Sequence, residues 1–194
     1  MTRLVLASAS ASRARMLEAA GVAFEIQPAN VDEDAVKAAT HDGAAVAAVL
    51  AERKALHVST GRPEALVLGS DQVLVARGGL MSKAGTREAA AAQLRALRGD
   101  VHSLVTAAVL AKAGKVVWRH AEEARLWVRA FSDEFLERYL AGESDAVLGS
   151  VGCYRLEGPG VQLFERIEGD YFSILGLPLV PVLAALREQG VVLA

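Results

Sequence analysis

The chain has 194 residues, of which 53% are hydrophobic and 23% are charged. This length and composition are typical of one well-buried globular domain, or of one domain with a small lobe. The formal net charge of −2 argues against a nucleic-acid-binding protein, because such proteins usually carry a basic face. The single cysteine, Cys153, excludes an intramolecular disulfide framework and a cysteine-based zinc cluster.

The apolar segments of the chain predict no contact with a membrane. No apolar stretch reaches the roughly 18 residues that a membrane-spanning helix needs. The apolar run Leu4–Ala7 is also too short for the hydrophobic part of a secretory signal. The sequence therefore predicts a soluble, cytoplasmic protein.

The first predicted elements are a strand, a polar loop and a helix. Leu4–Ala7 is typical of a buried strand, and Arg13–Gly21 of a helix that ends at its glycine. The loop between them is rich in serine. The start of such a helix presents N–H groups and a positive dipole end that bind anions, and Arg13 would add donors. The alternative is that the serines are ordinary helix caps.

Three consecutive carboxylates, Asp32, Glu33 and Asp34, follow the short predicted strand Val22–Ile26. One interpretation is the acidic first turn of a helix or a solvated loop, which stabilises only local structure. The other is a site for a hard cation such as Mg²⁺, which proteins usually hold with one or two carboxylates and substrate phosphates.

A lysine extends the apolar face of the next predicted helix, Gly43–Val58. Val46, Leu50 and Lys54 are four residues apart and therefore lie on one face. The lysine either extends along the surface towards water or reaches into a site.

The most informative stretch is Leu66–Val75, where Asp71 interrupts two apolar runs. A carboxylate inside a buried strand is unfavourable unless it is paired or bound to a metal, so Asp71 is the first candidate for chemistry. The alternative is that residues 69–71 form a turn between two short strands and leave Asp71 solvated.

The second half of the chain predicts further elements of a mixed α/β fold. Three successive strands without intervening helices indicate an antiparallel part of the sheet. The predicted elements are a turn at 77–79, a helix from Thr86 to Arg98, strands Val101–Lys112, Lys115–His120 and Arg125–Phe131, a helix from Ser132, a strand Val161–Ile167, a loop at 169–172 and a last helix ending near Gly190.

Seven short motifs in this order resemble the Maf family of nucleotide pyrophosphatases, and the resemblance covers almost the whole chain. The motifs are 7–13, 31–33, 53–55, 69–71, 82–84, 164–169 and 176–179. Two family positions differ, since Ala11 replaces a proline and Ala14 an arginine. The resemblance implies one domain over residues 1–194 with an elongated mixed α/β sheet flanked by helices, similar to inosine triphosphatase, and a homodimer.

The resemblance also implies hydrolysis of a nucleoside triphosphate between its α and β phosphates, with a divalent cation, Mg²⁺, Mn²⁺ or Co²⁺, as cofactor. The family's general base matches Asp71, and Glu33 with Asp71 would hold the cation. The expected substrate-binding residues supply positive charge to the phosphates and hydrogen bonds to other parts of the nucleotide. They are Ser8, Ser10, Ser12, Arg13, Lys54, Gln72, Lys83 and Glu157.

Three positions bear on the substrate within this family. Gln72 and Glu157 match the branch similar to 7-methyl-GTP pyrophosphatases, and a glutamate suits the N–H donors of a guanine edge. Ser12 stands where that branch has a tryptophan, which could stack on a cationic base. The alternatives are a dTTP/UTP-type pyrophosphatase and a nucleotide-binding regulator of septum formation that does not catalyse.

Overall fold

Seven strands form one mixed sheet in the computed structural model, which describes residues 2–193. The strands are β1 (Leu4–Leu6), β2 (Glu25–Ile26), β3 (Leu66–Ala76), β4 (Gly79–Met81), β5 (Val101–Lys112), β6 (Lys115–Val128) and β7 (Phe164–Glu168). The helices are α1 (Ala11–Ala19), α2 (Glu33–Ala39), α3 (Gly43–Gly61), α4 (Arg87–Leu97), α5 (Asp133–Gly142), α6 (Tyr171–Ile174) and α7 (Leu179–Glu188), with 3₁₀ turns at 145–149 and 159–163.

The strand order is β2-β1-β3-β5-β6-β7, with β4 paired to β3. Strand β1 pairs in parallel with β2 and β3, whereas β4 on β3 and β7 on β6 are antiparallel. The predicted mixed sheet with flanking helices is thereby confirmed. Within residues 2–193, none of the helices is both long and apolar enough to cross a bilayer.

The chain divides into two compact units. The first comprises the chain up to Gln72, residues 105–122 and the chain from Asp170 onwards; the second comprises residues 73–104 and 123–169. In the first unit, side chains of β1 alternate between two apolar clusters. Leu4 and Leu6 pack in a cluster that includes residues of α1 and α7, while Val5 packs with Val58 of α3. Both faces are covered, which explains the uninterrupted apolar run in β1.

The second unit contains α4 and α5, each with a buried apolar stripe and a side-chain cap. The stripe Ala90, Leu94 and Leu97 of α4 is buried. Thr86 Oγ1 accepts from the backbone of α4 and Ser132 Oγ from the backbone of α5, as the sequence predicts.

Two sequence predictions on local structure are wrong, and one of the two interpretations of residues 69–71 is excluded. Residues 66–76 form a single strand, so there is no turn at 69–71. The strands predicted at Lys115–His120 and Arg125–Phe131 are parts of one strand, β6, which ends at Val128. The charged segment 119–125 suggested a break, but it contains no glycine or proline that would end a strand.

The second wrong prediction is the loop at 169–172. The chain turns into α6 there, because Asp170 Oδ1 accepts a hydrogen bond of 2.8 Å from the N–H of Ser173 and so starts a helix. Smaller differences concern element bounds. Helix α3 continues to Gly61, β2 is limited to two residues, and residues 159–163 form a 3₁₀ turn before β7.

Candidate active site

The serines between β1 and α1 each make a different contact. Ser10 is the N-cap of α1, and its Oγ accepts from the N–H of Arg13 at 3.4 Å. Ser12 Oγ donates to the carbonyl of Leu175 at 3.0 Å. Ser8 is buried, and its Oγ accepts a hydrogen bond of 3.0 Å from Arg13 Nη1. Of the three, Ser10 therefore makes the capping contact, while Ser8 contacts the candidate phosphate-binding arginine.

Arg13 is buried at the start of α1 and is held from two directions. Its Nε donates to the carbonyl of Gly176 at 2.7 Å, opposite the contact to Ser8. The same carbonyl accepts from Ser70 Oγ of β3 at 3.1 Å. Burial lowers the pKa of Arg13, and the charges of Asp71 and Glu33 oppose that effect. Gly176 thus links α1 to the strand that carries Asp71.

Lys54 lies between two carboxylates, in a group that we call the carboxylate–lysine cluster: Glu33, Lys54 and Asp71. Lys54 Nζ is 2.6 Å from Glu33 Oε1 and 2.7 Å from Asp71 Oδ1. The Lys54 and Asp71 side chains are 11% and 10% exposed, and Glu33 is 39% exposed. The structure therefore brings three predicted site residues together within the first unit.

The three consecutive acidic residues at 32–34 have different surroundings. Asp32 caps α2, because its Oδ1 accepts from the N–H of Ala35 at 3.0 Å. Glu33 contacts Lys54, and the Asp34 side chain is exposed. Asp32 therefore fits the interpretation of an acidic helix start, and Glu33 fits the interpretation of a cation site.

Gly69 allows α3 to approach β3 closely enough for this cluster to form. A Cβ atom at position 69 would lie 2.2 Å from the carbonyl oxygen of Ala51 and 2.6 Å from the backbone nitrogen of Ala55. These alanines flank Lys54 along α3, and Gly69 precedes Asp71 by two residues on one face of β3. The glycine of this motif therefore serves helix–strand packing.

Asp71 is a buried carboxylate next to two cations. Burial raises the pKa of Asp71 above the usual aspartate value, while the charges of Lys54 and Arg13 act in the opposite direction. A carboxylate with a raised pKa is a stronger proton acceptor near neutral pH. Asp71 thus has the surroundings expected of a general base.

Hydrogen bonds from its amide nitrogen fix the orientation of the Gln72 side chain. Its Nε2 donates to the carbonyls of Ser173 and Ile174, at 2.8 and 3.1 Å, and lies 2.9 Å from Thr106 Oγ1. A carbonyl oxygen accepts a hydrogen bond and cannot donate one, so the end of the amide that faces the two carbonyls is the nitrogen. The amide oxygen, an acceptor, is the end that remains for another ligand.

Lys83 and Glu157 belong to the second unit. Lys83 is exposed in the loop after β4, and that loop is anchored by a hydrogen bond of 2.6 Å from Gln93 Nε2 to the Ser82 carbonyl. Glu157 is exposed near Arg155, whose Nε and Nη2 donate to Glu143 Oε2. Neither residue is a member of the carboxylate–lysine cluster, and their substrate-binding roles stay predictions.

The donor set suits a divalent cation that is shared with a phosphate. Among residues 2–193, no three His, Cys, Asp or Glu side chains are grouped as a protein-only metal site. Two carboxylates of the cluster nevertheless converge on one cation, the Lys54 ammonium, which marks a place where positive charge is held. Mg²⁺ is commonly coordinated by one or two carboxylates together with phosphate oxygens and water.

Sequence reasoning missed the residues that support Gln72 and Arg13. Thr106 and Ser173 are buried beside the Gln72 amide, and Thr106 Oγ1 also donates to the Ser173 carbonyl at 2.9 Å. A threonine inside the apolar strand 104–111 was a detectable signal. The carbonyl of Gly176 offers no such signal, because backbone groups are the same in every residue.

Comparison with known proteins gives sequence matches over nearly the whole chain. The model for the Maf-like protein family matches residues 3–189. A nucleoside triphosphate pyrophosphatase from Granulibacter bethesdensis is 53% identical over 191 residues, covering 96% of this chain and 97% of that protein. A 7-methyl-GTP pyrophosphatase from Rhizobium etli is 46% identical over 194 residues, covering 98% of each. A solved dITP/XTP pyrophosphatase from Mycobacterium abscessus is 14% identical, with a TM-score of 0.45 over 97% of this chain and 95% of that one.

Proposed function

The chain belongs to the Maf family, and we propose that it hydrolyses a nucleoside triphosphate to the nucleoside monophosphate and pyrophosphate. The observation that carries this proposal is the carboxylate–lysine cluster, with Asp71 in a buried strand beside Lys54 and Arg13. The names of the two relatives, at 53% and 46% identity, support the same reaction.

In the proposed reaction, Asp71 orients a water molecule and accepts its proton. The water oxygen forms a bond to one phosphorus of the α–β anhydride, the bond from that phosphorus to the bridging oxygen breaks, and the nucleoside monophosphate and pyrophosphate separate. Phosphoryl transfer depends mainly on positioning and charge stabilisation. Arg13 and Lys54 supply positive charge, and the start of α1 supplies N–H donors for the phosphate chain.

Glu33 and Asp71 would hold a divalent cation, Mg²⁺, Mn²⁺ or Co²⁺, together with phosphate oxygens. Such a cation, when bound, neutralises charge on the phosphates. Its fit to this chain rests on the two carboxylates that already converge on the Lys54 ammonium. Arg13 is outside this pair, and its charge would act on the phosphates from the start of α1.

For the substrate, we propose a 7-methyl-GTP-like nucleotide. One of the two relatives named above carries that name. Gln72 and Glu157 are also the residues on which the chain resembles that branch. Ser12 lacks the aromatic ring of that branch, and its Oγ is engaged with the Leu175 carbonyl. Recognition of the base would therefore depend on hydrogen bonds rather than on stacking at position 12.

The test is pyrophosphate release from 7-methyl-GTP, GTP, dTTP, UTP and CTP, each with Mg²⁺, Mn²⁺ and Co²⁺. We expect turnover by the wild type and a loss of at least about 100-fold in kcat for Asp71→Asn, the usual contribution of a general base. Asp34→Asn is the matched control, because it removes an exposed carboxylate nearby.

Each outcome of this test has a distinct meaning. Turnover of pyrimidine nucleotides alone would retain the chemistry and replace the proposed substrate. Near-normal hydrolysis by Asp71→Asn would contradict the role of Asp71. No turnover of any nucleotide would favour a binding regulator over an enzyme.

A further inference from the structure

Lys54 occupies the point on which the two candidate metal ligands converge. Its Nζ is within 2.7 Å of one oxygen from Glu33 and one from Asp71. Lys54 and Asp71 are nearly buried, so water screens this contact only weakly. The ammonium therefore already offsets part of the negative charge of both carboxylates, before any divalent cation is added.

A divalent cation bound by both carboxylates would lie close to the ammonium, which already contacts one oxygen of each. Two cations that close together repel each other, and any of these oxygens that the cation used would lose its hydrogen bond from Nζ. On the premise of the proposed function, in which Glu33 and Asp71 are metal ligands, we infer that Lys54 is an exchangeable counter-ion. Its ammonium takes the place of the divalent cation in the nucleotide-free protein and leaves that place when the cation binds.

The side chain of Lys54 is suited to this exchange. An ammonium is a compact point charge on a flexible four-carbon stem, and its hydrogen bonds have no fixed planar geometry. The triphosphate offers the displaced ammonium a new anionic partner, so nucleotide and cation should strengthen each other's binding. That coupling is reciprocal by thermodynamic linkage.

The first experiment measures Mn²⁺ binding to the nucleotide-free protein at pH 8, with free Mn²⁺ followed by electron paramagnetic resonance. We expect Lys54→Met to bind Mn²⁺ at least about ten-fold more tightly than the wild type, since a positive charge in direct contact with the ligands has been removed. Lys37→Met is the matched control. Lys37 Nζ is 3.5 Å from Glu33 Oε2 in a more exposed pair, so its loss should change the affinity by less than about three-fold.

Equal or weaker Mn²⁺ binding by a folded Lys54→Met protein would overturn the inference. Asp71→Asn separates this failure from failure of the proposed metal site. If Asp71→Asn binds Mn²⁺ as the wild type does, the proposed ligands are wrong. If Asp71→Asn binds Mn²⁺ more weakly but Lys54→Met does not bind it more tightly, only the exchange is wrong.

A second measurement needs no substitution. The rate of reductive methylation of Lys54 is followed by mass spectrometry with and without Mn²⁺, and exposed Lys115 serves as the internal reference. Displacement by the cation should raise the rate at Lys54 and leave the rate at Lys115 unchanged. An unchanged or lower rate at Lys54 would contradict the exchange.

Discussion

At the scale of single residues, the Arg13 guanidinium is held in place by hydrogen bonds that it donates in two directions. Nε contacts the Gly176 carbonyl and Nη1 contacts Ser8 Oγ, in a buried setting. A lysine carries the same charge, but its single nitrogen cannot reproduce a planar fork. Position 13 therefore requires the planar guanidinium of arginine as well as its positive charge.

We predict that Arg13→Lys lowers the free energy of unfolding by about 1.5–3 kcal/mol, because a buried charged hydrogen bond is lost. The KM for the triphosphate should rise at the same time. Urea unfolding and pyrophosphate-release kinetics measure the two effects. Arg15→Lys is the control, since Arg15 is exposed on α1; equal effects at both positions would contradict the assigned contacts.

His102 is a second residue whose surroundings have a measurable consequence. It is 2% exposed and its Nε2 is 2.6 Å from the Tyr154 hydroxyl. Burial lowers the pKa of His102 to about 4. An unfolded histidine binds a proton below about pH 6.5, so the stability contributed by neutral His102 is complete above that pH. It is lost as the pH falls towards 4.

We therefore predict that the wild type loses about 2–3 kcal/mol of stability between pH 7.5 and pH 4.5 through His102. His102→Gln should lose correspondingly less over the same interval, because glutamine does not titrate. Urea unfolding at the two pH values measures the difference. His41→Gln, which removes an exposed histidine, should behave as the wild type does; a His102→Gln protein with the full pH dependence would refute the prediction.

At the scale of elements, the packing of α3 on β3 sets the geometry of the carboxylate–lysine cluster. The close approach at Gly69 leaves no room for a methyl group against the backbone of α3. A displaced helix would carry Lys54 with it. Stability and site geometry are thus connected through one glycine.

Gly69→Ala should lower the free energy of unfolding by more than about 2 kcal/mol, since overpacking against a rigid backbone cannot relax easily. Activity of the folded fraction should fall as well. Gly61→Ala, at the end of the same helix, has open space around it and should be neutral or slightly stabilising. Equal urea midpoints for both variants would show that α3 can shift without cost.

At the scale of the whole molecule, charge separates a nucleotide substrate from a nucleic acid partner. The chain has a formal net charge of −2, and two of its three candidate phosphate-binding cations, Arg13 and Lys54, are buried. Local cations can hold a single triphosphate, whereas duplex DNA requires many basic contacts along a surface.

We accordingly predict no binding of a 20-base-pair DNA duplex at 0.15 M salt, up to protein concentrations of about 100 μM, the weak limit of usual non-specific binding. Fluorescence anisotropy of a labelled duplex measures this directly. A salt-sensitive rise in anisotropy below that concentration would indicate a basic surface that the net charge conceals.

The sequence by itself determined most helices and turns, because their signals are local. Thr86 and Ser132 cap α4 and α5 where predicted, and the Ala113–Gly114 turn separates β5 from β6. The apolar run around Asp71 also identified the residue at the centre of the site. Motif order was enough to indicate the family, since seven weak signals in one order are specific together.

Only the tertiary structure decided how these residues meet. Lys54 contacts Glu33 and Asp71 across 21 and 17 positions of sequence, and no local pattern encodes such contacts. The turn interpretation of 69–71 failed for the same reason, because the glycine is required by a helix that packs on it from elsewhere in the chain. The amide of Gln72 is likewise oriented by carbonyls about 100 residues away. Long-range packing, rather than residue type, therefore assigns each side chain its neighbours.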